Sequence, residues 1–326
     1  MADQAGPEAE HADCLIALAP ADQPVTPDQQ RAYRIPPSVV GRLSSAAFAG
    51  RPNTLSAETH DWPVIDSCAE AARCIGRLEP DVGHDRPGDE ALAESAWAAI
   101  PARRTIRERR SARAMDGATS LSAAAFYRLM EALMPRPGRW PYAALPWLPA
   151  ADLALFVHRV DGLAPGLYAL LRGGDGRACL RSHTREEFTW RRPRGCPERL
   201  PLYLLMADEA EEVARTVSCH QDIACDGCFS LGMVSAFEPR IRAAGAWTYK
   251  RLFWETGVIG QVLYLAAEAE GVRGTGIGCF FDDAMHEILG LRDHAFQSLY
   301  HFTVGGPVPD ERLETLPAYA HLNERP

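Results

Sequence analysis

The chain reads as an α+β protein, and three stretches carry that reading. Thr256 to Ala267 is uncharged, with apolar and small residues all around a helical wheel. Such a helix is expected to be buried on every side, and Gly271 stands where a C-terminal glycine ends a helix. GTGIGCFF at 274–281 follows as a glycine-punctuated extended run, in which backbone can come close to another group. DLALFVHRV (152–160) and GLYALLRG (166–173) are apolar strands joined by DGLAP, a hairpin-like connection.

Bulk properties narrow the function classes. Of 326 residues, 47% are hydrophobic, enough for a packed core. The net charge of −9 sits entirely in residues 1–100, which hold 16 acidic and 7 basic side chains. The remainder balances, so no nucleic-acid surface is expected. One lysine, Lys250, stands against 33 arginines, a composition bias and not a functional signal. Nine scattered cysteines form no disulfide framework. The acidic N-terminus has no apolar signal core, and no uncharged run reaches the ~18 residues of a membrane span. A cytoplasmic protein without a membrane segment is expected.

Taken in order, residues 1–60 read as a poorly structured arm. CLIALAP (14–20) is one possible strand, and RIPPSVVGRLSSAAFAGRPNTLS is rich in helix breakers. Residues 61–99 read as a helical linker region: WPVIDSCAEAARCIGRL (62–78) has helical spacing, and EPDVGHDRPGDE (79–90) is solvated. A helix from 91 is interrupted at Pro101. RERRSAR (107–113) is expected at a helix end, with Arg109, Arg110, Ser111 and Arg113 within a turn and a half. Residues 121–134 form a helix with Ser122 as cap. The loop 135–149 carries Trp140, Tyr142 and Trp147, which either pack or line a substrate cleft. His158 is expected to be structural. LPLYLLMAD (200–208) is a buried strand. Cys219, His220, Cys225 and Cys228 lack paired metal-ligand spacing and read as packed helix cysteines with no metal. Asp282 reads as the cap of the next helix, and SLYHFTVGGPV as the last strand.

ETGVIGQVLYLAAEAEGVRGTGIGCFFDD, RERRSAR, GLAPGLY (162–168) and LYHFTVGGPVPDERL (299–313) occur in the order found in the FMN-dependent nitroreductase superfamily. They most resemble its SagB-type dehydrogenases, over roughly residues 100–319, within an FMN-binding domain expected at 100–326. The resemblance implies a mostly antiparallel sheet of four or five strands flanked by helices, with a long interface helix. It also implies that residues 1–60 are the remnant of a first nitroreductase-like half, with a homodimer or pseudo-dimer closing the site.

What the resemblance implies for chemistry is FMN-dependent oxidoreduction, with hydride passing through flavin N5. The substrate would be a small molecule or modified peptide, and NAD(P)H a possible reductant. Arg109, Arg110 and Ser111 would grip the phosphate. Arg113 would face the pyrimidine ring, where a cation stabilises negative charge. Arg312 would be a second phosphate cation. Ile277, Gly278 and Cys279 would line the ring, with the Cys279 backbone N–H, not its thiol, directed at N5. No second cysteine stands at C-x-x-C spacing from Cys279. Gln261 would contact either cofactor or interface, and the C-terminal arm would wrap a partner. LPWLPAA (145–151) lacks the Ser and Gly of the family's Pro-Ser-Ala-Gly-like segment. A flavin-binding or partner subunit without turnover, or a Cys/His metal-binding protein, are therefore the competing readings.

Overall fold

The structure, a computed structural model, describes residues 36–47, 60, 62–74, 97–136, 141–145, 147–173 and 176–322. The expected strand at 14–20, the linker at 79–90 and Trp140 lie outside them. The chain divides into Met1–Ala71 and Ala72–Pro326.

The first unit contains α1 (Pro37–Ser44) and α2 (Pro63–Ala71). The helix at α1 was not expected among so many breakers. Its prolines sit at the N-cap and first turn, where a missing N–H costs nothing and the fixed φ suits a helix.

In the second unit, α3 (Ala102–Glu108) is followed by β1 (Leu121–Ser122) and α4 (Ala123–Ala132). Ser122 caps α4 as expected, its Oγ accepting the Ala125 N–H at 3.2 Å. Then come β2 (Ala151–Val157), β3 (Val160–Asp161), β4 (Gly166–Leu170), α5 (Gly176–His183) and β5 (Leu202–Ala207). After α6 (Glu211–Val217) and α7 (Ile223–Asp226) the chain enters β6 (Phe229–Ala236), α8 (Glu238–Ala244) and α9 (Thr248–Ala269). It ends with β7 (Arg273–Ile277), α10 (Asp282–Leu289) and β8 (Phe296–Gly305).

Six strands form one antiparallel sheet in the order β5-β4-β2-β6-β8-β7, one more than the largest number expected. The fold is nitroreductase-like, an antiparallel sheet flanked by helices. Strand side chains alternate between two cores. Leu153, Leu155, Phe229, Leu231 and Phe302 pack with α4 and α9 on one face. Phe156, Ala169, Val234 and Phe296 pack with α6 and α10 on the other. Both faces are covered, which is why these strands are continuously apolar.

Three expectations fail here. The segment 218–237, whose cysteines read as packed in a helix, is not one helix. It is a loop, the single turn α7, and β6 between β2 and β8. Phe229, Leu231 and Met233 alternate with Ser230, Gly232 and Val234, the period of a strand. Asp282 is not a cap: Phe281 holds that position and Asp282 begins α10, its carboxylate accepting the Gln297 amide at 2.7 Å. Finally, α9 is not buried all around. Leu252, Ile259 and Leu263 face the core, while Phe253, Trp254, Gly257 and Gln261 are exposed. An uncharged wheel marks surfaces that leave water, and it does not say whether the same chain covers them.

Helix α9 ends as its sequence predicts. Gly271 adopts φ +76°, its N–H donates to the Glu268 carbonyl, and the Val272 N–H donates to that of Ala267. This is a Schellman ending, and it turns the chain directly into β7 at the edge of the sheet.

Candidate functional site

The basic segment after α3 is extended, not helical. Arg109 is the C-cap, with ψ 130°, so the motif does stand at a helix end, with Arg110, Ser111 and Arg113 beyond the helix. Backbone bonds explain why. The Ala112 N–H donates to the Gly274 carbonyl at 3.4 Å, and Thr275 Oγ1 donates to the Ala112 carbonyl at 2.7 Å. On the other side Val308 N–H reaches Ala114 O, and Asp116 N–H reaches Gly306 O. The segment thus satisfies its backbone between β7 and the run after β8, in place of a further helical turn.

Tyr264 of α9 completes this corner. Its hydroxyl lies 2.8 Å from Ser111 Oγ and accepts the Gly276 N–H at 2.9 Å. The Arg109 guanidinium stands over its ring, 4.8 Å from the centroid. Arg110 donates to the carbonyls of Arg107 and Arg109. Arg113 pairs with Asp310 at 3.5 Å. Arg312 donates to both oxygens of the same carboxylate, each at 2.9 Å, and these bonds hold Asp310 below the usual carboxylate range. Arg312 is therefore already engaged by a carboxylate.

The glycines of the GTGIG run have different tasks. A Cβ on Gly274 would meet the Phe302 ring, and one on Gly276 would run into the Tyr300 hydroxyl. These two make room for aromatic side chains of β8, not for a ligand. Gly278 is different: a Cβ there meets nothing within 4 Å. Ile277 is buried and pairs with His301, so only its backbone is presented. Gly278 lies two residues past Gly276, roughly 7 Å along an extended chain. Among the described residues the next amide, that of Cys279, donates to no acceptor. Gln261 occupies the exposed face of α9, one turn before Tyr264.

The structure thus gathers Arg109, Ser111, Arg113, Gly278 and Cys279 along β7, and holds Arg110 and Arg312 at its margin. Tyr264 was missed by sequence reasoning, as its role appears only when residues 153 positions apart meet. Cys279 has no cysteine near it in sequence, but the fold brings the Cys219 Sγ to 2.6 Å from its sulfur.

Tyr142, Trp147, Cys225 and Cys228 are each engaged within the fold. Tyr142 and Trp147 are buried, the latter beneath the Arg251 guanidinium. Cys225 donates to the Asp222 carbonyl and Cys228 to that of Thr119. Burial first pushes each thiol up to about 11. Among the described residues, no group of three or more His, Cys, Asp or Glu is placed to hold a metal ion. Likewise no described helix is long and apolar enough to cross a membrane.

Residues 201–306 match the Nitroreductase family. That span runs from β5 to the end of β8, so it includes α9, β7 and the Gly278–Cys279 turn. Solved structures similar to the chain include a nitroreductase candidate from Anabaena variabilis. There the identity is 21%, the match covers 64% of this chain and 38% of that one, and the TM-score is 0.49. The E. coli microcin synthetase McbBCD complex with truncated pro-MccB17 bound is 15% identical, covering 88% of each chain, with a TM-score of 0.44. The Vibrio harveyi NADPH:FMN oxidoreductase complexed with NAD+ is 14% identical over 69% of this chain and 76% of that one, with a TM-score of 0.39. The chain thus spans less than half of the Anabaena protein. A comparison with curated proteins gave no match.

Proposed function

We propose that this protein is an FMN-dependent oxidoreductase of SagB type, with the phosphate at Arg109–Ser111 and the ring against Gly278–Cys279. The observation that carries the reading is that one strand, β7, holds both ends of such a site. The basic segment is bonded to Gly274 and Thr275, and the open turn with its unengaged Cys279 amide follows Ile277.

The donor set fits the group. Guanidinium groups and a hydroxyl suit a phosphate dianion, and a glycine without neighbours leaves room for a flat ring. Bound FMN would supply reversible two-electron chemistry. The protein's own part is to bind and orient. Ser111 is fixed through Tyr264, and Arg109 is steadied by the same ring. The Cys279 N–H is a fixed donor for a ring nitrogen that gains charge. Arg113 would be the cation for the pyrimidine edge; it pairs with Asp310 at 3.5 Å.

The exposed face of α9 fits a second copy of the chain, which would close the site. Candidate substrates are an azoline-bearing peptide, a nitroaromatic or a quinone, with NAD(P)H as reductant. One observation favours a second reading, a flavin-binding subunit without turnover: Asp310 already engages both Arg113 and Arg312.

The test is to purify the protein, denature it and identify the released flavin by HPLC. One FMN per chain is expected, recovered after refolding with excess FMN. FAD, or no flavin, would end the assignment. Bleaching by NAD(P)H then separates the enzyme from the subunit reading.

A further inference from the structure

We infer that Cys219 and Cys279 form a reversible disulfide site, a dithiol that closes by exchange with oxidised low-molecular-weight thiols. Sixty residues apart in sequence, their sulfurs are 2.6 Å apart, only about 0.6 Å beyond a disulfide bond of ~2.05 Å. Cys279 is exposed and Cys219 half-buried, so a small oxidant can reach them.

The two loops are clamped around the pair. The Phe281 N–H donates to the Val217 carbonyl at 2.8 Å. The Gln221 amide donates to the Cys279 carbonyl at 3.0 Å and to that of Ser218 at 2.8 Å. The His220 and Phe281 rings meet edge-on, with centroids 5.5 Å apart. Cys219 and His220 also both adopt the left-handed conformation, at φ 60° and 56°. Two consecutive non-glycine residues there mark a turn held by its surroundings. It is this turn that aims Cys219 at Cys279.

Roles follow from exposure and hydrogen bonding. The hydrogen bond with Cys279 first, then burial, raises the Cys219 thiol, and Cys279 is the more exposed of the two. Cys279 attacks first: its thiolate bonds to one sulfur of the small disulfide and expels one thiolate. Cys219, deprotonated in turn, attacks Cys279 Sγ, forms the Cys219–Cys279 bond and expels the second. Two electrons leave the protein dithiol, and its two protons end on the two small thiols. Closure fixes the Gly278–Phe281 turn. Any consequence for a flavin rests on the reading above, but closure itself does not.

The experiment uses the full chain, reduced, desalted and equilibrated with mixtures of reduced and oxidised glutathione. Remaining thiols are alkylated and peptides mapped by mass spectrometry. The expected result is a Cys219–Cys279 cross-linked peptide, reversed by dithiothreitol, at ratios where the exposed Cys68 and Cys74 carry no cross-link. Cys219→Ser should lose the cross-link and hold Cys279 as a glutathione mixed disulfide. Independent alkylation of both cysteines, separate glutathione adducts on each, or pairing with another cysteine would overturn the inference. Protein stripped of flavin should close equally well, so absence of FMN would sink the functional reading and leave this result intact.

Discussion

His158 is held neutral by what surrounds it. Its Nε2 lies 3.1 Å from the Ala224 carbonyl, and its Nδ1 is buried without a hydrogen-bond partner among the described residues. Burial first, with Arg159 adding to it, lowers its pKa to about 4. A group lowered on folding contributes stability that is complete above its unfolded value of ~6.5 and lost as pH falls toward 4. The full contribution is about 3 kcal/mol, at ~1.4 kcal/mol per unit. His301, pushed down to about 3 by burial, acts in the same direction. Asp152 opposes them: burial raises it to about 6, so its contribution is present at low pH and lost as pH rises through 6. Thermal melts between pH 7 and 4.5 should therefore show a shallower fall for His158→Gln than for the wild type. Parallel curves would mean another group senses the acid. A second prediction concerns Arg109. Losing one charge-assisted bond costs roughly 1.5–3 kcal/mol, so Arg109→Ala should weaken FMN at least tenfold and riboflavin hardly at all. Equal weakening of both would contradict a phosphate role. Arg109 and Ser111 are singled out through the family resemblance of RERRSAR, a local motif, and their phosphate role is what this variant tests. The contacts of Tyr264 and Cys219 could not be read this way, because their partners arrive only through α9 and the loop before α7.

Elements carry their own lessons. Helix α9 is anchored at its N-terminal half by a buried ion pair, Arg172 to Glu255 at 2.8 Å. Glu255 also accepts the N–H groups of Ala150 and Ala151, and Arg172 donates to the carbonyls of Leu133 and Ala151. The network ties α4, the start of β2, the end of β4 and α9 together. Removing one partner leaves a buried charge, so Arg172→Leu should cost about 3–5 kcal/mol. Arg172→Leu with Glu255→Leu should recover much of that loss in urea denaturation. A double variant no better than the single one would show that the remaining hydrogen bonds, not the pairing of charges, set the cost. At the other end of α9, a Cβ on Gly271 meets nothing within 4 Å. Gly271→Ala therefore isolates the φ +76° contribution and should cost about 1–2 kcal/mol. A loss several-fold larger would mean that packing, not backbone conformation, requires the glycine. The sequence showed α4, α9, the β2–β4 hairpin and β8, where period and breakers agree. Strand β6 was hidden because Ser230 and Gly232 make the first half of its second face small. Gly232 is small for a reason visible only in three dimensions, since a Cβ there would stand 3.0 Å from His301 Nε2 and Met285 Cε.

At the scale of the molecule, the second unit leaves apolar side chains facing outward. Tyr249, Phe253 and Trp254 of α9 are each exposed by about two-fifths, and Leu313, Leu316 and Tyr319 by more than half. Tyr249 and Phe253 adjoin, their ring centroids 5.0 Å apart, and exposed apolar patches mark association sites more often than solvent faces. Gly257 lies among the α9 residues, and a Cβ there would meet nothing within 4 Å, so a second backbone could approach. Gln261 and Tyr264 follow on the same helix, which connects this face to the corner at Ser111. If a second copy covers it, closing the dimer and completing the site are one event. Light scattering of the full chain should then give twice the chain mass at micromolar concentration. Phe253→Asp places a charge at the centre of the face and should shift the protein to monomer, since burying an unpaired carboxylate costs several kcal/mol. The same variant should lose FMN while keeping the wild-type far-ultraviolet circular dichroism. A monomeric wild type would refute the interface, and a monomeric variant that kept full FMN would show that one chain builds the site alone.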